Sequence, residues 1–232
     1  ALSTYERLAK ASSDPEPLDQ VDDLAVLLGD WPKLTEVLLK KAEDAADAIA
    51  SELLRRLGQI YAEMLEARDE AIKAYERALD LEPTSAVTID RLLPLYEDTN
   101  ASERLVELYT RRVELAGTDD ADLRYELSLK GAERQETALG SPRDAIVSLN
   151  TALEARPGDD KALKALERLY RSEEMYQELL DNLREQAGRA ETVEARAGLR
   201  VAMGDLYKDK LGAPVDAIEQ YRLVLDEVAG NE

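Results

Sequence analysis

The sequence predicts an all-α protein, an α-solenoid of antiparallel helical hairpins with about 13 helices. Three observations predict it. Apolar residues recur at i, i+3, i+4 and i+7 along every segment, and no run alternates with period two long enough for a strand. One nine-residue pattern returns along the chain at a nearly constant spacing. Punctuation supports the boundaries, since Pro83 and Pro157-Gly158 fall where helices should end.

The recurrent pattern is Ala71-Ile72-Lys73-Ala74-Tyr75-Glu76-Arg77-Ala78-Leu79, and it returns from Ala145 and again from Ala217. Between these copies lies a second kind of hairpin, marked by Ile89, Leu92 and Tyr96 and then by Leu105 and Tyr109. A hairpin cannot bury both apolar faces alone, so each needs a neighbour, which is the logic of a solenoid.

The elements follow in order. Residues 1–15 hold a partial helix, with Tyr5 aligned to Tyr75, so the chain is expected to be a piece of something longer. Residues 16–44 form a degenerate repeat around Leu24, Leu27, Leu28, Trp31, Leu34 and Leu38. A stronger repeat spans 45–83, although neither Gly nor Pro separates Val37 from Leu53. A degenerate repeat covers 84–117, a repeat 118–157, a degenerate repeat 158–191 around Leu163, Leu166, Tyr170, Leu179 and Leu183, and a final repeat 192–232. Ser141-Pro142-Arg143-Asp144 is a helix start with Ser at the cap and Pro at the first helical position. Asn100 and Glu103 have the reciprocal capping spacing. Pro83 and Pro157-Gly158 end helices.

Leu54, Leu57, Gly58, Tyr61, Ala71, Tyr75, Ala78 and Pro83 resemble the tetratricopeptide repeat pattern, with one residue inserted before Ala71. The last copy keeps Met203, Gly204, Tyr207, Ala217 and Tyr221; the middle copy keeps Ala132, Ala145, Ala152 and Pro157 but puts Gln135 in the aromatic slot. The intervening hairpins carry Leu93 and Glu167 in the glycine slot. The resemblance covers roughly the whole chain, strongly at three hairpins. It implies a right-handed superhelix whose first helices line a concave groove.

Composition excludes much else. The 30 Lys+Arg against 50 Asp+Glu give a net charge of −20, which repels a phosphate backbone and an anionic membrane, so no nucleic acid is expected. The longest stretch without a charge, Ala145–Leu153, is far too short to insert in a membrane. With no Cys and no His, there is no disulfide, no Cys/His zinc site and no imidazole for a catalytic triad. The acidic pairs Asp22-Asp23, Asp119-Asp120 and Asp159-Asp160 lack the spacing of a calcium loop and are expected to cap helices. No metal, no cofactor and no enzymatic activity are expected. The opening Ala1-Leu2-Ser3-Thr4-Tyr5 does not read as a signal peptide, so the default compartment is cytoplasmic.

Eight of the ten tyrosines fall in repeat slots and are expected to pack, as are Tyr125 and Tyr176. The candidate binding residues are charged. Lys161, Lys164, Arg168 and Arg171 form one helical stripe, unexpected in so acidic a chain. By the resemblance it lies on the groove side of a first helix. Asp90 and Glu97, then Glu126 and Glu133, take the corresponding side of neighbouring first helices, and Arg55 and Gln59 are further groove candidates. The clamp of Lys and Asn residues that some domains of that family use is not reproduced. Against the stripe stands local pairing, for example of Glu167 with Arg171. The expected function is a non-catalytic scaffold that binds a protein or peptide segment in the groove. The alternative is an architectural spacer or stacking segment without its own ligand. The last helix, with Ala217, Ile218, Tyr221, Val224 and Leu225, has no polar cap after it, so end-to-end self-association is expected.

Overall fold

The computed structural model describes residues 16–99 and 101–229. The described residues form twelve helices: α1 Glu16–Leu28, α2 Trp31–Asp44, α3 Asp47–Glu63, α4 Arg68–Leu81, α5 Ala86–Thr99, α6 Ser102–Ala116, α7 Ala121–Thr137, α8 Pro142–Ala155, α9 Asp160–Ser172, α10 Tyr176–Arg189, α11 Val193–Asp209 and α12 Pro214–Ala229. The thirteenth expected helix falls on residues 1–15, and the Asn100 cap on residue 100; both lie outside the described residues. No strand occurs among the described residues.

The chain divides into two compact units, residues 1–101 and 102–232. The segment 84–117 therefore contributes α5 to the first unit and α6 to the second. Within each unit consecutive helices pack on one another, α1 to α5 in the first and α6 to α12 in the second. That nearest-neighbour packing is the arrangement of an all-α array of antiparallel hairpins. The most extensive pairs are α3 with α4, α7 with α8 and α11 with α12. These are the three hairpins in which the repeat pattern is strongest.

Small residues explain that closeness. Gly58 and Gly204 face the rings of Tyr75 and Tyr221, where an added Cβ would stand 2.9 and 2.4 Å from the nearest ring atom. Only glycine lets the ring lie against the opposite backbone. In the middle hairpin the corresponding positions are Ala132 and Leu149, both buried in one core cluster. A larger small residue thus faces a smaller large one, keeping the interior close-packed.

The same hairpins share one turn. Leu65, Leu139 and Leu211 N–H groups each donate 3.1 Å bonds to the carbonyls of Ile60, Arg134 and Leu206. The next residues, Glu66, Gly140 and Gly212, all have positive φ, at 51, 61 and 63°. Glycine takes that conformation without steric cost, and Glu66 does not.

Two expectations on capping need correction. Ser141 stands at the start of α8 with Pro142 in the first turn, but its side chain makes no capping bond. Asp30 and Asp120 have nearly the same ψ and do cap, accepting from the Lys33 and Leu123 N–H groups at 3.2 and 3.0 Å. The serine side chain is one atom shorter and does not reach. Asp159 caps as expected, accepting from Ala162 N–H at 2.9 Å. Asp22 is not a cap. It sits inside α1, 7 % exposed, and accepts two 2.8 Å bonds from Arg56 of α3 and one of 2.9 Å from Lys41 of α2. Its helix begins six residues earlier, so the carboxylate faces the packed helices instead of free N–H groups.

Candidate protein-interaction site

The basic stripe lies on α9, whose apolar face carries Ala162, Leu163, Leu166, Leu169 and Tyr170 into the core. Helical spacing then turns Lys161, Lys164, Arg168 and Arg171 outward, and all four are exposed. Carboxylates meet three of them. Lys164 donates to Asp160 at 2.6 Å, which holds its pKa above the ordinary lysine value. Arg171 donates to Glu167 at 2.9 Å, the local pair expected from the spacing. Arg168 grips Glu136 of α7 with both terminal nitrogens, the second at 2.7 Å, and this hydrogen bonding lowers the Glu136 pKa. That last pair spans 32 residues, and no helical spacing announces it.

Glu126 and Glu133 are exposed on α7, the helix that supplies Glu136. They share a unit with the stripe, and the Arg168–Glu136 bridge ties the two helices together. The remaining candidates lie in the first unit. Asp90 is exposed and Glu97 half-buried on α5. Gln59 on α3 donates to Glu63 at 2.9 Å. Arg55 turns inward to a polar knot, donating to Ser51 at 3.2 Å, to Ser85 at 3.3 Å and to Glu82. Its bond to Glu82 lowers that carboxyl's pKa. The structure therefore assigns Arg55 to joining α3 with the end of α4.

The tyrosines behave as packing residues with wet tips. Tyr75, Tyr96, Tyr109, Tyr125 and Tyr170 are buried. Tyr96 hydrogen-bonds Glu76, and Tyr170 meets Asn150 at 3.2 Å. These two contacts occupy the same positions one long period apart.

The middle hairpin holds a site that the repeat pattern marked only as a departure. Where α3 and α4 carry Leu54, Leu57, Tyr61 and Ala74, the matching positions of α7 and α8 carry Ser128, Gly131, Gln135 and Ser148. These polar or smaller replacements line a cavity of about 220 Å³. With its amide oriented to satisfy its neighbours, Gln135 donates to Ser148 Oγ at 2.7 Å and to the Asp144 carbonyl at 3.1 Å. Gln135 is thus a buried bracket between α7 and α8.

Among the described residues, no group of three or more potential metal ligands clusters, and no helix is long and apolar enough to cross a membrane. Hairpins interlocked at Gly58–Tyr75 and Gly204–Tyr221 define an all-α array of packed helical hairpins. No family model matches the chain, and no curated protein does. Solved structures do. One is YrrB, described as a TPR protein with an unusual peptide-binding site, 18% identical over 83% of this chain and 93% of that one, with a TM-score of 0.41. A MamA structure is 16% identical over 91% of this chain and 96% of that one, at 0.40. MamA from Desulfovibrio magneticus RS-1 is 14% identical over 78% and 97%, at 0.39.

Proposed function

We propose that the protein is a non-catalytic interaction scaffold that captures a segment of a protein partner along the α7/α9 face. One observation carries this reading: four exposed cations stand in one stripe of a chain with net charge −20, beside exposed Glu126 and Glu133. Acidic residues of the partner meet Lys161, Lys164, Arg168 and Arg171, and basic residues meet the two glutamates. The existing pairs do not block this. They are solvent-exposed, worth a fraction of a kcal/mol to about 1 kcal/mol each, and exchange readily for a partner's carboxylates. Complementarity of this kind sets orientation and on-rate, and it weakens with salt.

The test is capture from a source lysate at low and high salt, comparing the native protein with Lys164→Glu/Arg168→Glu. Salt-sensitive partners should be lost from the double variant while circular dichroism stays helical. Capture that is unchanged by both salt and reversal would refute the reading and leave the stripe a solvated face.

A second reading, stacking of copies on one another, has its own observation. Val215, Ile218, Leu225 and Val228 are all exposed on one side of α12, forming an apolar stripe. Burying it against another copy would recover the hydrophobic free energy that exposure forgoes.

A further inference from the structure

The cavity beside Gln135 lies where the first unit keeps solid core. Leu39, Leu54, Leu57 and Tyr61 of α2 and α3 all pack into one apolar cluster. The matching positions of α6 and α7 carry Thr110, Ser128, Gly131 and Gln135. Three leucines and a tyrosine are thus exchanged for smaller or polar groups, and a cavity of about 220 Å³ stands in that place. The rim differs in the same direction. Lys73 and Arg77 of α4 correspond to Val147 and Thr151 of α8, and Val147 is 65 % exposed at the opening. None of the lining residues is a cation, and exposed Asp144 is their one charge.

The lining is of two kinds. Tyr109, Val113, Leu127 and Val147 supply apolar wall. The polar groups lie along the seam of α7 and α8. Gln135 is spent within that seam, donating to Ser148 Oγ at 2.7 Å and reaching the Gly131 carbonyl at 3.3 Å. Opposite Gly131, a Cβ would stand 3.8 Å from Ser148 Oγ and meet nothing else within 4 Å, so the space over this glycine is open. Ser128 lies on the same face of α7, three residues earlier. It is 5 % exposed, lines the cavity, and has no hydrogen-bond partner for its hydroxyl among the described residues. An enclosed polar group without a partner points to an occupant of the space it borders.

The lining limits what that occupant is. A cavity of about 150 Å³ with aliphatic walls takes a benzene ring. This one has room for a ring and a small substituent, and is below the size of a drug-like site. A bare hydrocarbon would fill the volume and leave Ser128 without a partner. An anion would meet Asp144 with no cation in the lining to answer it. A cation would shed its water into walls that, apart from Asp144, are neutral. A hydroxyl both donates and accepts, as the Ser128 hydroxyl does. We propose that this cavity binds a hydroxyphenyl ring, its face against Val113, Leu127 and Val147 and its hydroxyl bonded to Ser128. A free small phenol and a tyrosine side chain both present that chemistry.

The experiment is an amide chemical-shift titration of the whole chain with p-cresol, with toluene and p-toluate as controls. p-Cresol should give saturable shifts at Leu127 and Gly131, with toluene about fivefold weaker or more and p-toluate weaker still. Ser128→Ala should weaken p-cresol by a similar factor and leave toluene unchanged. Gly131→Leu restores the residue found in α3, fills the cavity and should abolish binding while the protein stays helical. N-acetyl-L-tyrosinamide separates the sources: binding as tight as p-cresol assigns the site to a tyrosine side chain, and exclusion assigns it to a free phenol. No saturable shift with p-cresol overturns the proposal. So does toluene or p-toluate binding as tightly as p-cresol, p-cresol affinity unchanged in Ser128→Ala, or binding that survives Gly131→Leu.

Discussion

The Gly58–Tyr75 interlock permits a quantitative test. Replacing glycine by alanine inside a helix normally stabilises it by about 1 kcal/mol. At Gly58 an added Cβ would sit 2.9 Å from three atoms of the Tyr75 ring. Tyr75 is 2 % exposed, so the ring cannot swing into solvent. Overpacking of this kind costs about 1–3 kcal/mol, which outweighs the propensity gain and makes Gly58→Ala neutral to destabilising by about 2 kcal/mol. Gly58→Leu, with three further carbons to place, should cost about 3 kcal/mol or more. Tyr75→Leu alone leaves a cavity and should cost about 2–4 kcal/mol. The decisive variant is Gly58→Ala/Tyr75→Leu, which installs the Ala132/Leu149 pair of the middle hairpin. Its cost should fall below the sum of the two single changes by about 1 kcal/mol or more. Urea denaturation followed by circular dichroism measures the cycle. Additive costs, or a Gly58→Leu protein as stable as the native one, would refute the interlock. Gly204→Ala should cost less than Gly58→Ala despite the closer approach of 2.4 Å, because Tyr221 is only partly buried and can turn outward.

Two further outcomes follow from the charges and the apolar face. Burial raises the Asp22 pKa, but hydrogen bonds from Arg56 and Lys41 outweigh it and the net shift is downward. A folded pKa below the unfolded one means this stability is full above the ordinary carboxylate range and is lost as pH falls through the folded value. Asp22→Asn should therefore cost about 1–3 kcal/mol at pH 7, and the difference should shrink near pH 3; an unchanged difference at low pH would count against it. If α12 stacks copies on one another, light scattering should show mass rising with concentration, and Ile218→Lys/Leu225→Lys should hold the protein monomeric. A monomer across the whole concentration range in the native protein removes the stacking reading.

The sequence by itself determined the helices, their order and the places where two of them interlock. Those features depend on local quantities: the 3.6-residue period, the chain-stopping chemistry of Pro and Gly, and residue size at fixed offsets. The Glu167–Arg171 pair was legible for the same reason, since helical geometry alone puts i and i+4 together. Asp22 was misread as a cap because its partners, Lys41 and Arg56, lie 19 and 34 residues away on other helices. Ser141 has the right residue type for a cap and fails only because its side chain is one atom short at that backbone angle. Arg168 meeting Glu136, and Ser128, Gly131, Gln135 and Ser148 lining one cavity, were decided by tertiary structure alone. Which side chains converge from different helices depends on how each helix is rotated and spaced against its neighbours. That is a property of the packed core, and no offset along the chain encodes it.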